Sequence, residues 1–225
     1  MDFALILENW PLFAHGLWVT VTMVGISLAL GVILAIPLAL VQAYDVPVLG
    51  RLAATYSYVF RGTPLLVQLY ILYYGLAQFQ SIRDSALWLL LGNAYTCAIL
   101  GFTLNSAAYV AEIYRGALVS LDKGEMEAAA AYGMTRMQVI RLIALPQAFR
   151  LSLPAYSNEV IFLLHASVVA STITIVDILG AGRKLNSSYY VVYEGFLTAA
   201  ALYMVVVLFI TVVFRKTERK FLAFR

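Results

Sequence analysis

Charge is scarce in this chain. Lysine, arginine, aspartate and glutamate make up 12% of its 225 residues, while 63% are hydrophobic and the mean hydropathy is +0.87. Soluble domains run at about 25% charged and about 45–50% apolar, which excludes a water-soluble globule and indicates a polytopic membrane protein. Cysteine is nearly absent. Cys97 stands alone inside an apolar run, which excludes an internal disulfide and leaves a small packing residue. The start, Met1-Asp2-Phe3, has no basic leader, so the first apolar span is expected to stay in the mature protein. No Gly-x-x-x-x-Gly-Lys-Ser/Thr phosphate loop occurs; Gly180-Ala181-Gly182-Arg183-Lys184 reads as a loop and lacks the required ending. No His-Glu-x-x-His pair or nucleophile triad is present, and His165 has no second His or Cys at ligand spacing. The chain is therefore not read as an enzyme, nor as a holder of metal or cofactor. Its net charge of +3 and pI near 8.9 come from localised cations that membrane topology explains better than nucleic acid. There is no internal repeat and no low-complexity linker.

What is abundant is long apolar runs. A bilayer core of roughly 30 Å needs about 20 apolar residues per helix, and backbone groups there have no water to bond. Runs at about Leu17–Val41, Ala86–Val110, Ala155–Val176 and Phe196–Phe214 meet that length. A fifth, Tyr58–Phe79, is interrupted by Arg61-Gly62-Thr63-Pro64. From Leu65 it would span only about 22 Å at about 1.5 Å per residue, with Arg61 reaching back to the interface. Pro37 either kinks the first span or marks its end. Gly25, Ser27 and Gly31 offer small surfaces for close helix contact. The expected fold is an all-α membrane protein of about five transmembrane helices, one domain over residues 1–225.

The cations set an orientation. With five spans and the N-terminus outside, Arg51, Arg61, Arg115, Lys123, Arg136, Arg141, Arg150, Arg215, Lys216, Arg219, Lys220 and Arg225 fall on the cytoplasmic side. Only Arg83, Arg183 and Lys184 fall outside. Twelve against three is a strong positive-inside asymmetry. Asp2 and Glu8 fit an outer N-terminus, and the C-terminus is then cytoplasmic.

A polar, Ala-rich loop at about 116–150 separates two of the runs. Asp122 with Glu125, and Thr135 with Gln138, have capping-box spacing, so two short helices are expected at about Lys123–Tyr132 and Arg136–Leu145. Gly133 supplies the turn between them. Met137, Ile140 and Ile143-Ala144 fall on one side of the second helix, and Pro146 limits its continuation. Periodicity alone leaves two readings open: an amphipathic segment on the membrane surface, or a docking element.

The spacing of Glu127-Ala128-Ala129, Gly133, Ile143, Leu145 and Pro146 resembles the "EAA" loop of the membrane subunits of bacterial ABC importers. Arg61-Gly62-Thr63-Pro64, Phe102-Thr103-Leu104-Asn105 and Pro154-Ala155-Tyr156-Ser157-Asn158-Glu159-Val160 are similar to the polar amino acid branch, most like the M-type subunit of histidine/lysine/arginine/ornithine systems or opine permeases. The resemblance covers nearly the whole chain. It implies a type I importer fold in a bacterial inner membrane. It makes the loop residues an ATPase-coupling surface. The implied partners are an ATP-binding subunit dimer carrying ATP and Mg, a second permease subunit (paralogue or copy), a periplasmic solute-binding protein, an amino acid substrate and membrane lipid.

Buried charge points to a pathway. Glu159 lies five residues beyond Pro154, and Asn105 seven before Glu112, so the two reach one depth on oppositely directed spans. A carboxylate at mid-bilayer costs on the order of 3 kcal/mol on insertion scales and needs a partner, a proton or a wet cavity. A substrate cation is one partner; a structural hydrogen bond, or Arg61 or Arg150, is the other. Glu159, Asn105 and Asn158 are the candidate substrate residues. Asn158 and His165, seven apart, can share a face. Glu112 and Arg115 read as a local ion pair. Tyr70, Tyr73 and Tyr74 line a pathway or form a packing belt, and Asp177, Arg183 and Lys184 read as outer charges that either touch a delivery protein or are solvated loop charges. The expected function is import of a polar amino acid, a basic one foremost, with opine or neutral polar amino acid import as the alternative. An ion-coupled secondary transporter or a membrane scaffold is a rival of another class; visible inverted repeats would favour the former.

Overall fold

The computed structural model describes residues 3–222 and is helical with no strand among them. Met1, Asp2 and Arg225, used above, lie outside the described residues. The order is α1 (Phe3–Glu8), α2 (Trp10–Ala43), α3 (Leu49–Gly62) and α4 (Leu65–Tyr70), then a π-turn at Ile71–Gly75 and a 3-10 turn at Leu76–Gln78. Two single turns, α5 (Gln80–Arg83) and α6 (Trp88–Leu91), precede α7 (Ala94–Val119). α8 (Lys123–Ala131) and α9 (Arg136–Val139) form the polar loop. A π-turn at Ile140–Ala144 leads into α10 (Leu145–Ala166), followed by a 3-10 stretch (Ser167–Ile173), α11 (Ile178–Tyr189) and α12 (Val192–Leu222). Trp10–Ala43, Ala94–Val119, Arg136–Ile173 and Val192–Phe221 are long and apolar enough to cross a membrane; Leu65–Gln78 is a shorter apolar helix.

The core is a seam between α2 and α7. The Thr22 and Tyr95 hydroxyls bond at 2.8 Å, and Ser27 donates to the Ile99 carbonyl at 3.3 Å. A Cβ on Gly31 would come within 3.1 Å of Ser106 Oγ, and Ala35 and Ala39 cluster with Val110 and Ala111. The residue numbers rise together, so the two helices run parallel. Of the expected small surfaces, Ser27 and Gly31 belong to this seam, whereas Gly25 faces open space. α10 packs antiparallel on α7: Leu163 and Leu164 join Phe102, and Ala144 and Ala148 join the Val110–Leu118 end. α12 returns along α10, with Phe214 edge-on to Tyr156 at 6.1 Å. It is the least buried of the four long helices, and Met204, Val205, Leu208, Phe209 and Val212 are exposed, as a lipid-facing helix requires.

Several boundaries differ from those expected. The run at Ala86–Val110 is not one span; the helix starts at Ala94 and reaches Val119. Asn93 ends the preceding turn because its side chain accepts from Tyr95 N at 2.8 Å. The carbonyls left open at α6 are taken by Thr96 and Cys97, the latter at 3.2 Å. Pro146 does not stop the second loop helix. The π-turn lets α9 run into α10, where Pro146 sits at the start and loses little. Pro37 lies inside α2, which continues to Ala43, so it does not mark the span's end.

The Gly180–Lys184 segment is helix, not loop, and Asp177 is not a solvated charge. Asp177 is fully buried. It caps α11 through Gly180 N at 2.7 Å and accepts from the Tyr203 hydroxyl at 3.3 Å. Burial pushes its carboxyl up to about 6, against the lowering effect of these hydrogen bonds. Ile178 N donates to Thr20 Oγ1 at 3.1 Å, tying α11 to α2. At this knot a Cβ on Gly16 would lie 2.7 Å from the Asp177 carbonyl oxygen.

Gly16→Ala should lower the thermal midpoint of the detergent-solubilised protein by an amount corresponding to about 1–3 kcal/mol of overpacking. Gly25→Ala, which meets nothing within 4 Å, should leave it unchanged. Equal midpoints for the two variants would show that the α2–α11 approach is not as tight as described.

Candidate functional site

The site begins with a missing backbone donor. In an uninterrupted helix the Phe60 carbonyl would accept from the N–H of residue 64, but residue 64 is proline. α3 ends at Gly62, and Thr63-Pro64 adopt extended backbone before α4 starts at Leu65. The orphaned oxygens are met by side chains. Gln68 Nε2 donates to the Phe60 carbonyl at 2.8 Å and also reaches the Thr63 carbonyl and hydroxyl, at 3.1 and 2.7 Å. Asn105 Nδ2 reaches Phe60 O at 3.2 Å and Gln68 Oε1 at 3.1 Å. The Tyr109 hydroxyl donates to the Arg61 carbonyl at 3.3 Å. The broken helix is thereby held against α7, and Tyr56 adds a 2.5 Å bond to the Leu104 carbonyl.

The break opens a cavity of ≈ 800 Å³ between α3, α4, α7 and α10. Arg61, Thr63, Pro64, Asn105, Tyr109, Asn158, Glu159 and Phe162 line it. The structure thus brings Glu159, Asn105 and Asn158 to one cavity. Glu159 is 6% exposed, and among the described residues its carboxylate has neither a hydrogen bond nor an ion pair. The alternative pairing with Arg61 or Arg150 is not formed. Asn105 is differently placed. Its amide donors serve Phe60 and Gln68, so it stabilises the cavity wall. Asn158 also borders a second, smaller pocket with Arg215 and Glu218. His165 does not share its surface; it lines a separate pocket with Tyr203 and Val207.

Beside this cavity lies another of ≈ 670 Å³, lined by Asp45, Arg51, Ser57, Arg61, Glu112 and Arg115 among others. Glu112 and Arg115 form the expected ion pair, with Arg115 donating to both carboxylate oxygens, one of them at 2.9 Å. Arg61 turns toward α7. It lies 3.9 Å from Glu112 and stacks over the Tyr109 ring at 5.5 Å, with its side chain 40% exposed, bordering both cavities. Tyr73 packs against the core, and Tyr70, Tyr73 and Tyr74 meet edge to face at 5.5 and 4.8 Å, with Tyr70 and Tyr74 exposed. Gln68 was missed in the sequence, although a glutamine four residues after a proline in an apolar run is a legible signal. The buried role of Asp177 had none.

At the polar loop, Asp122 caps α8 through Gly124 N at 2.8 Å without forming a capping box with Glu125. Thr135 and Gln138 do form one. Glu125 instead accepts from Gln147 at the root of α10. Gly133 makes the turn at φ 85°. Arg136 stacks over Tyr44 at 5.2 Å, which puts α9 beside the end of α2. Glu127, Ala128 and Gly133 are exposed, and Ala129 is buried. Ile143 and Leu145 are half-buried, and Pro146 is exposed. Met137 does not join the packed side: it is exposed, and Val139, Ala144 and Ala148 are buried instead.

Four long apolar helices, and a largely apolar cavity into which a few charged and amide side chains converge, define a membrane-spanning protein of the transport class. The chain belongs to the family of binding-protein-dependent transport system inner membrane components, whose profile spans residues 11–222. In that family the membrane component and the ATP-hydrolysing subunit are separate polypeptides. The octopine transport system permease protein OccM of Rhizobium radiobacter is 45% identical over 204 residues, covering 91% of this chain and 83% of its own length. The arginine ABC transporter permease protein ArtM of Haemophilus influenzae is 37% identical, covering 96% and 95%. A crystal structure of an amino acid ABC transporter with histidines matches at TM-score 0.86 and 33% identity, over 98% of this chain and 99% of that one.

Gln68→Leu leaves the Thr63 carbonyl without its side-chain donor and Phe60 with a weaker one. It should destabilise the solubilised protein by about 1–3 kcal/mol for each buried group left unpaired. Asn105→Ala should cost less, since Gln68 still serves Phe60. Chemical denaturation of both variants checks the order.

Proposed function

We propose that this chain forms, with a second permease subunit, the pathway by which an ATP-driven importer carries an amino acid with a cationic group, or an opine, across the inner membrane. The observation that carries this is the unpaired carboxylate of Glu159, 6% exposed and bordering a cavity of ≈ 800 Å³. Small-molecule sites run about 300–1,000 Å³, and a buried carboxylate is retained where a cation comes to meet it. The arginine and octopine names of the relatives fit a guanidinium ligand; the octopine and nopaline relatives favour the opine reading, at 45% and 41% identity.

In this reading Leu65–Gln78 completes a fifth span. The N-terminus lies outside and the C-terminus in the cytoplasm. The 123–146 loop then meets two ATP-binding subunits, which hold ATP and Mg. Exposed Tyr132, Met137 and Leu142 supply apolar surface for that contact, and Ala128 and Gly133 allow close approach. A solute-binding protein delivers ligand to the opposite face.

In proteoliposomes containing the ATPase, both permease subunits and the binding protein, Glu159→Gln should cut uptake of arginine or octopine at least tenfold, the equivalent of about 1.4 kcal/mol. Unchanged uptake would remove Glu159 from the pathway, and uptake by this chain without ATP would make it a secondary transporter. A second test reads the loop. Cys97 is fully buried, so Ala128→Cys presents a single exposed thiol. It should crosslink to the ATPase subunit; crosslinks only to the binding protein would reverse the orientation.

A further inference from the structure

The cavity holds a second charge that is only loosely paired. Glu112 already receives two hydrogen bonds from Arg115, and Arg61 stands 3.9 Å from it, beyond hydrogen-bonding reach. Among the described residues the Arg61 guanidinium makes no hydrogen bond; besides the distant Glu112 carboxylate it has the Tyr109 ring, 5.5 Å away, to rest against. Its backbone is nevertheless fixed, because Tyr109 holds its carbonyl and the turn after it is clamped by Gln68. An arginine on a clamped backbone, stacked on an aromatic face and with donors to spare, is arranged for a planar anion. Glu159 borders the same cavity with the opposite charge and no donor.

We propose that Arg61 is the receptor for a ligand carboxylate, so that the cavity takes a ligand bearing an anionic group and a cationic group at separate ends. The proposal rests on the reading that Glu159 meets the ligand's cation. The guanidinium, when empty, rests against Tyr109 near Glu112. When ligand enters, its five N–H donors turn to the carboxylate, and Glu112 keeps Arg115. Amines lacking a carboxylate leave Arg61 unused, and opines, with an additional carboxylate, engage it at least as well as free amino acids do.

The test is equilibrium binding of radiolabelled L-arginine to the purified permease–ATPase complex in lipid nanodiscs, without the binding protein. Agmatine, the decarboxylated analogue, and octopine serve as competitors. The ratio of arginine to agmatine affinity is independent of how much protein is folded. In the native complex arginine should bind about tenfold or more tightly than agmatine. Arg61→Gln should bring the ratio close to one by weakening arginine and octopine alone. Glu159→Gln should weaken arginine and agmatine together and keep the ratio. A native ratio near one, or an Arg61→Gln complex that keeps the native ratio, overturns the role of Arg61 while leaving Glu159 in place. Equal loss of both ligands in Arg61→Gln makes Arg61 a structural support and also overturns it. A native complex that binds neither arginine nor octopine overturns the Glu159 reading and this one together.

Discussion

The structure turns on one absent hydrogen. Pro64 has no N–H to give the Phe60 carbonyl, and an unpaired carbonyl inside an apolar bundle costs several kcal/mol in hydrocarbon. The chain meets that cost with Gln68 and Asn105, whose amides converge on Phe60 from α4 and α7. The helix is broken in consequence and a cavity opens beside the break. An α-helix continued through residues 62–64 would bond its own carbonyls and leave no such gap. A polar network of this kind is stable only when complete, because each half-satisfied member is dearer than an apolar substitute.

The same break explains why opposite charges coexist in one cavity without cancelling. Arg61 is the penultimate residue of α3, and Tyr109 draws its side chain along α7. Arg115 has priority at Glu112 through two hydrogen bonds, which leaves Arg61 incompletely paired. Glu159 approaches from α10 with no donor from its own neighbourhood. Hydrophobic packing sets these positions. The α2–α7 seam and the α7–α10 clusters around Phe102 and Tyr114 fix the helices that carry the charges. Burial of apolar area thus holds apart two groups that electrostatics would bring together.

Much of this was legible in the sequence. Length and hydropathy locate four long apolar helices, and the Arg61–Pro64 interruption locates the broken one. The spacing of Thr135, Gln138 and Gly133 announces the loop's cap and turn. Glu159 and Asn105 are placed at one cavity by counting residues along opposed spans. What counting could not give is what each polar group does once there. Asn105 reads as a ligand residue until Pro64 is seen to need its amide. Asp177 reads as a loop charge because the segment is polar, yet Thr20, Tyr203 and the Gly16 approach bury it from distant parts of the chain, while Arg183 and Lys184 stay exposed. The span at Ala86–Val110 was misplaced because hydropathy ignores Asn93, whose cap sets the start of α7 more strongly than apolar composition does.

The path from loop to site also follows from a local irregularity. Had Pro146 ended the second loop helix, the loop and Glu159 would sit on separate elements joined by a flexible turn. The π-turn at Ile140–Ala144 instead makes Arg136 through Ala166 one helical rod. Leu145 and Glu159 are then about 21 Å apart along it, at about 1.5 Å per residue. Glu125 is tied to Gln147 at the root of that rod, and Arg136 is tied to Tyr44 on α2. A displacement of the loop would reach α10 from α8 through the first tie and α2 from α9 through the second, and both of those helices pack on α7. A push that parts them changes the wall of the cavity, because Asn105 on α7 and Glu159 on α10 border it from different helices. The wider π-turn is the compliant point, being the place where the backbone ladder is already loosened. Stiffening it would leave the site intact and alter only how far the loop can move it.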